Sequence, residues 1–306
     1  MPHRPSCSAL AALAALAAAT LCAALPEGAL AAELPPPGGL FDLVGARAMG
    51  TSAATAGTSS TEALFVNPGA MGLGSGYVAE TLLVNERRGG TTTSRYLGAM
   101  VVDAVSSPVA TSLAYFSSME GDNKGHLFFL GFSGPIAERL HAGVQGRYLK
   151  LGGLEPVDKL AGREPINAIT ADAGLSWNAS GLVTVGLSGF NLVPTGHPAA
   201  LPQSMGAGLA VGSDTSIRAL ADWRGTFLPR GRLANRYAAG VGAFLGELLA
   251  LRAGWMRDEL LHASWWSAGA GLVGGDGFSI DVGYRQSIEV AGAREMALSF
   301  RYYPPQ

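Results

Sequence analysis

The chain has 306 residues, of which 14% are charged against about 25% in an ordinary domain, with 43 glycines, 48% hydrophobic residues and a formal net charge of -2. That charge offers no basic footprint for phosphates, and the apolar content is too high for a disordered chain, so nucleic-acid binding and intrinsic disorder are set aside. After the first 31 positions no unbroken apolar run approaches about 18 residues, which excludes a helical membrane protein and leaves strands.

His3 and Arg4 form a short basic region, Ala9 to Leu25 an apolar run, and Ala29-Leu30-Ala31 the small residues of a cleavage site. Residues 1–31 therefore read as a secretory signal peptide, with the mature chain starting near Ala32. The apolar run is shorter than the ~20 residues of a spanning anchor. Lipid attachment at Cys22 does not fit either, because Ala19-Thr20-Leu21 lacks the expected residue order. Cys7 and Cys22 both fall in this segment, so the mature chain is expected to carry no disulfide, zinc thiolate or cysteine nucleophile.

Residues 32–76 open with Pro35-Pro36-Pro37-Gly38-Gly39 and continue through Gly45-Ala46-Arg47 and a small-residue run to Phe65-Val66-Asn67-Pro68. Ser59 and Glu62 have the spacing of a capping box for one short helical turn, which Pro68 ends through its restriction on Asn67. The segment has too few large apolar residues to fold alone. It needs a host.

From residue 77 onward the dominant signal is alternation with period two. Met296, Leu298, Phe300 and Tyr302 alternate with Glu295, Ala297, Ser299 and Arg301, and Phe278, Ile280, Val282 and Tyr284 alternate with Ser279, Asp281, Gly283 and Arg285. Similar runs are found at 169–177 and 217–224. The predicted strands are 77–85, 96–103, 109–117, 126–134, 140–150, 168–177, 183–192, 203–211, 216–224, 236–244, 249–256, 265–272, 278–286 and 295–303. Every second connection is short, as in outer-membrane barrels with tight periplasmic turns and longer external loops. All the Trp and Tyr residues lie near strand ends, where amphipathic rings collect at the headgroup level. The expected fold is all-β: a transmembrane outer-membrane barrel of about fourteen antiparallel strands over 77–306, with residues 32–76 as a lumenal plug. Its partner is outer-membrane lipid, and its location the cell outer membrane.

Charges on the strands must then face inward, since the lipid side would not tolerate them. This assigns Arg147, Asp172, Arg218, Asp222, Arg224, Arg252, Asp281, Arg285, Glu295 and Arg301 to the lumen. Cross-strand ion pairs that brace the wall are their expected use, ahead of a dedicated ligand site. Lumenal glycines such as Gly143, Gly174, Gly240, Gly269 and Gly283 let the plug approach closely. Gly269-Ala270-Gly271-Leu272-Val273-Gly274 spells a dinucleotide fingerprint by letter, but it sits inside a strand with no helix to follow. His126, His141, His197 and His262 show no metal spacing, and no Gly-x-Ser-x-Gly elbow occurs. No enzyme activity, catalytic residue, metal or cofactor is therefore expected.

The order Gly-Ala-Arg, a small-residue run, then an aromatic shortly before Asn-Pro resembles the N-terminal region of the FadL-type transporters of hydrophobic compounds. It is similar also to the related PorV/PorQ-type outer-membrane proteins. Gly45, Arg47, Gly50, Phe65, Asn67 and Pro68 carry the match, while Gly69 and Thr58 to Thr61 depart from it. The resemblance covers nearly the whole mature chain, because these families place a lumenal segment before fourteen strands. It implies passive transport of hydrophobic small molecules through a plugged barrel, with those six residues forming the plug or gate and a lateral opening in the wall as one route. The PorV/PorQ branch implies instead a component of a protein secretion or surface-attachment system, with a secretion-system protein as partner. A purely structural barrel is the third reading. The longest predicted loop, 151–167, is not a Phe- and Leu-rich capture groove, and the other loops are too compact to hold a protein. Transport is the favoured reading.

Overall fold

The computed structural model describes residues 42–304, apart from 75, 89–92, 121–124, 153–164, 198–200, 214, 229–230, 247 and 276. The expected signal peptide and positions 32–41 lie outside the described residues.

Fourteen strands follow the N-terminal segment: β1 Tyr77–Arg88, β2 Thr93–Asp103, β3 Ala110–Glu120, β4 Gly125–Ala137, β5 Leu140–Leu151, β6 Ile166–Ser180, β7 Val183–Phe190, β8 Ser204–Gly212, β9 Ile217–Leu228, β10 Arg232–Leu245, β11 Leu249–Asp258, β12 Ala263–Val273, β13 Phe278–Ser287 and β14 Ala293–Tyr302. Each pairs with its chain neighbours, and β1 pairs antiparallel with β14, so the sheet closes on itself. Closure leaves no edge strand, which is the only way a sheet can sit in hydrocarbon with its backbone groups satisfied. The expected strand number, order and antiparallel sense are all found.

Side-chain parity identifies the solvent on each face. On β14, Arg294, Met296, Leu298, Phe300 and Tyr302 point outward, whereas Ala293, Glu295, Ala297, Ser299 and Arg301 are buried inside. Outward positions elsewhere hold Phe128, Leu130, Phe132, Ile169, Leu187 and Val282, all exposed. The inside holds Arg147, Asp172, Asp281 and Arg285, all buried. Apolar outside and charged inside is the reverse of a water-soluble sandwich and fits a barrel with lipid around it.

Two expectations need correction. Strand ends run past the apolar alternation, so only three or four residues separate β1 from β2, β3 from β4, β9 from β10 and β11 from β12, and only 152–165 and 191–203 remain long separations. The reason is visible at Asn85↔Arg95 and Glu86↔Ser94, where polar residues continue the hydrogen-bonded ladder after the hydrophobic pattern has ended. In addition, Tyr96 and Trp265 do not join an aromatic belt. Tyr96 is 2% exposed and donates its hydroxyl to Glu86 inside the barrel, and Trp265 lies 5.7 Å from the Arg285 guanidinium. Proximity to a strand end does not fix the face; parity does.

Candidate functional site inside the barrel

The N-terminal segment folds inside the closed sheet. Helix α1 (Ala46–Thr51) is followed by a 3-10 turn at Ser60–Glu62, helix α2 (Ala63–Val66) and a second 3-10 stretch at Pro68–Leu73. The Ser59 side chain makes no capping bond, which corrects the capping-box reading. Glu62 instead turns back and accepts the backbone N–H groups of Arg47 (2.8 Å) and Ala48 (3.2 Å), so it caps α1 from across the segment. Its carboxylate also meets Arg47 Nε at 3.3 Å. Burial works against the charge on Arg47, but Glu62 and Glu80 outweigh it, and the guanidinium is held more firmly protonated than usual. Gly45 precedes α1 in an extended conformation, and a Cβ there would collide with the Glu62 side chain.

The barrel wall grips this segment at several heights. Asp222 on β9 accepts the N–H groups of Ala54 (2.6 Å) and Thr55 (2.8 Å), while Arg218 on the same strand donates to the carbonyls of Ala56 (3.3 Å) and Gly57 (3.2 Å). One strand thus holds both ends of one turn. Asn67 donates through Nδ2 to Thr55 O (2.9 Å) and Leu175 O (3.0 Å), and its Oδ1 accepts Gly69 N at 3.1 Å. Pro68 fixes the start of the following 3-10 turn, and its carbonyl lies against Gly143. Gly50 faces Gly269, and its carbonyl accepts Ser267 Oγ at 3.0 Å. A Cβ at Gly174 would overlap Asn67 Oδ1, and one at Gly283 would overlap the carbonyl of Ala46. These wall positions need glycine because backbone meets backbone. Phe65 completes the seat, edge-on to Phe116 (5.4 Å) and Phe129 (5.8 Å).

The inward charges form pairs around the segment. Arg147 and Asp172 are 2.9 Å apart, Arg285 and Glu295 2.7 Å, and Asp281 bridges Arg252 (2.7 Å) and Arg301. Arg224 is held at longer range: Asp42 is 3.6 Å away, Ser204 Oγ 3.1 Å, and its guanidinium stacks 4.4 Å over the Phe190 ring. Sequence reasoning missed Asp42, Glu80, Arg236 and Asp258, and gave Glu62 a partner it does not have. Arg236 joins Asp258 (2.6 Å) to Asp42 (3.1 Å). Burial raises the Asp42 carboxyl's affinity for its proton, but Arg236, Arg224 and Arg285 more than reverse this and hold it well below the usual carboxylate range. Parity could have found Arg236 and Asp258, since they continue the inward rows of Ala238 and Met256. Thr61 Oγ1 bonds to Glu80 on β1, a contact between segment and wall that no spacing rule anticipates.

Between segment and wall lies a cavity of about 80 Å³. Leu43, Val44, Phe65, Phe129, Phe190 and Met256 supply its apolar lining, and Asp42, Arg147, Asp222, Arg224, Arg236 and Arg285 its polar groups. An apolar cavity of about 150 Å³ holds benzene, so this chamber is too small for a single aromatic ring while the segment is seated.

The wall beside the chamber is interrupted. β6 pairs with β7 only from Ala173 downward, whereas it pairs with β5 up to Ile166. Among the described residues no strand covers the β7 side of 166–172; Leu192, Val193 and Leu201 lie against it instead. Leu192 N donates to Ala171 O (2.8 Å), Thr170 Oγ1 donates to Val193 O (2.9 Å), and Leu201 is buried in the interior cluster. Asn191 makes the turn with φ 55°, a left-handed conformation that Asn tolerates better than most residues. Its N–H bonds to Asp172 (2.8 Å), its Nδ2 to Pro202 O (2.8 Å), and its Oδ1 accepts Arg147 Nη2 (2.5 Å). Most of the predicted 151–167 loop lies outside the described residues.

These features define a closed fourteen-stranded barrel of the outer-membrane type that encloses a small mixed chamber and its own N-terminal segment. No protein-family model matches the sequence, and no curated protein matches it. Solved structures do. The CymD monoaromatic hydrocarbon channel superposes with a TM-score of 0.62 at 14% identity, over 87% of this chain and 98% of that one. A Pseudomonas aeruginosa FadL homologue gives 0.60 at 12% identity, over 85% and 98%, and the Pseudomonas putida toluene transporter TodX 0.56 at 13%, over 86% and 97%. The chain has the fold of the FadL-type barrels.

Proposed function

We propose that the protein is a passive outer-membrane channel for hydrophobic small molecules, in which residues 32–76 form the plug and Gly45, Arg47, Gly50, Phe65, Asn67 and Pro68 act at the gate. The observation that carries this reading is the chamber under an interrupted wall. A solute held between Phe65, Phe129 and Phe190 would lie against Phe190, next in the chain to Asn191 where the chain crosses over β6 above Ala173, the longest stretch of described strand that lacks a second strand partner. An apolar molecule leaving there into lipid would pass the Arg147–Asp172–Asn191 network but not the Arg285–Glu295 and Arg252–Asp281 pairs. The fold neighbours, a monoaromatic hydrocarbon channel and a toluene transporter, support the same solute class.

The reading requires the segment to move, because the closed chamber is too small for its cargo. Fourteen strands enclose more space than their own side chains fill. Deletion of residues 41–66 should therefore leave a barrel that still assembles, migrates heat-modifiably on a denaturing gel, and conducts ions in planar bilayers where the full chain is silent. A silent barrel after the deletion would contradict the gate.

A further inference from the structure

The chamber contains donors that neither the segment nor the wall satisfies. Ser188 (7% exposed), Arg147 (7%) and Arg285 (6%) line it, and Ser188 Oγ, Arg147 Nε and Arg285 Nε have no hydrogen-bond partner among the described residues. Each of the three groups can donate, and a buried donor left unmet is costly. Ser188 on β7 is the cross-strand partner of Gly206, itself the partner of Arg224. A Cβ at Gly206 would stand 2.8 Å from Ser188 Oγ, so glycine there leaves the hydroxyl uncovered on the lumen side. Phe190, two residues further along the same face, also lines the chamber. Ser188, Phe190, Arg147 and Phe129 belong to strands β7, β5 and β4, so they would keep their places when the N-terminal segment moves and the chamber widens.

Charge narrows the choice of solute. Every guanidinium that lines the chamber already has a carboxylate within 4 Å, and Asp222 adds another carboxylate to the lining. Asp42 belongs to the segment and would depart with it, but Asp222 on the wall remains to balance Arg224. An anion therefore finds no spare positive charge, a cation meets only donors, and a plain hydrocarbon leaves those donors unmet. A neutral oxygen acceptor is what the chamber lacks.

We infer that Ser188 is a specificity-determining residue, and that the preferred solutes are small aromatic molecules carrying one neutral hydroxyl or carbonyl oxygen. On the transport reading above, which this assignment rests on, the ring packs against Phe129 and Phe190 and its oxygen accepts the Ser188 hydroxyl. A few placed polar groups in an apolar pocket commonly set selectivity in this way.

The test is competition against labelled toluene entering poisoned cells that express the full chain, with the empty-vector rate subtracted. Unlabelled toluene, benzyl alcohol and benzoate have nearly the same size and differ in the oxygen and its charge. Benzyl alcohol should reach half-inhibition at a roughly fivefold lower concentration than toluene, the factor of one net hydrogen bond, and benzoate should compete less well than benzyl alcohol. S188A should bring benzyl alcohol to the level of toluene. S299A removes an equally buried serine hydroxyl outside the chamber and should keep the preference. Heat-modifiable migration checks that both variants are folded. Toluene uptake no faster than in empty-vector cells would overturn the transport reading and the role of Ser188 with it. Chain-dependent uptake in which toluene or benzoate competes as well as benzyl alcohol, or in which the preference survives S188A, would overturn the role of Ser188 alone.

Discussion

Removal of the Asp222 carboxylate should unseat the N-terminal segment while leaving the barrel intact. One oxygen of Asp222 accepts two backbone N–H groups, at 2.6 and 2.8 Å, and these are the principal anchors of the Ala54–Thr55 turn. Hydrogen bonds to a charged group contribute about 1.5–3 kcal/mol each, so Asp222→Ala should weaken the seat by about 2–4 kcal/mol after water reaches part of the exposed donors. At about 1.4 kcal/mol per decade, the ratio of seated to unseated segment falls by roughly a hundredfold. Asp222→Asn keeps one neutral acceptor and should lose about half as much free energy. The assay is limited trypsin digestion in detergent. Arg47 is the only basic residue between Asp42 and Glu86, so cleavage there reports release of the segment directly. D222A should be nicked at Arg47 much faster than wild type, D222N at an intermediate rate, and both should keep a full-size, heat-modifiable barrel. Equal nicking of D222A and wild type would refute the anchoring argument, since no other wall residue accepts those two amides among the described residues.

Three further outcomes follow from particular contacts. Gly174→Val should displace the Asn67-Pro68 turn and raise basal conductance, because its side chain would occupy the place of Asn67 Oδ1; Gly146→Ala, on the outward face with open space around it, should be silent in the same planar-bilayer recording. Leu298→Arg and Val282→Arg should each impair insertion into lipid vesicles by about 2–4 kcal/mol in folding titrations, whereas Arg218→Lys, which keeps an inward charge, should be tolerated far better; equal effects would mean the faces are exchanged. Cysteines at 171 and 192, where the 191–203 chain bonds to β6, should on oxidation lower hydrocarbon uptake several-fold and recover on reduction; uptake that ignores the crosslink would remove the lateral route.

The barrel was legible because alternation with period two is a local property that survives in a single sequence. Leu175, Val282 and Leu298 against Asp172, Arg285 and Arg301 already separate lipid from lumen, and a one-residue slip would have exchanged them. Strand ends were less legible. The apolar pattern stops at the hydrocarbon boundary, but the ladder of β1 and β2 continues through Glu86 and Arg87. The interior of the site was legible in part. The glycines and the Asn67-Pro68 turn stood out as residue types with special backbone needs, whereas the partners of each were set by tertiary contact. Glu62 reaches 14 and 15 residues back to Ala48 and Arg47, and Asp222 reaches 168 back to Ala54. No local pattern encodes such distances. Tyr96 and Trp265 were misread for a related reason: position near a strand end is compatible with either face, and the buried Glu86 and Arg285 decide it.

Initial uptake rates in whole cells decide whether the protein carries out selective passive uptake of apolar solutes. Cells of a host without such channels, expressing the full chain or an empty vector, would be given a labelled monoaromatic hydrocarbon and a polar sugar of similar size, with energy metabolism poisoned. Faster uptake of the hydrocarbon and unchanged uptake of the sugar is the predicted result. Equal acceleration of both solutes, or of neither, would contradict the account.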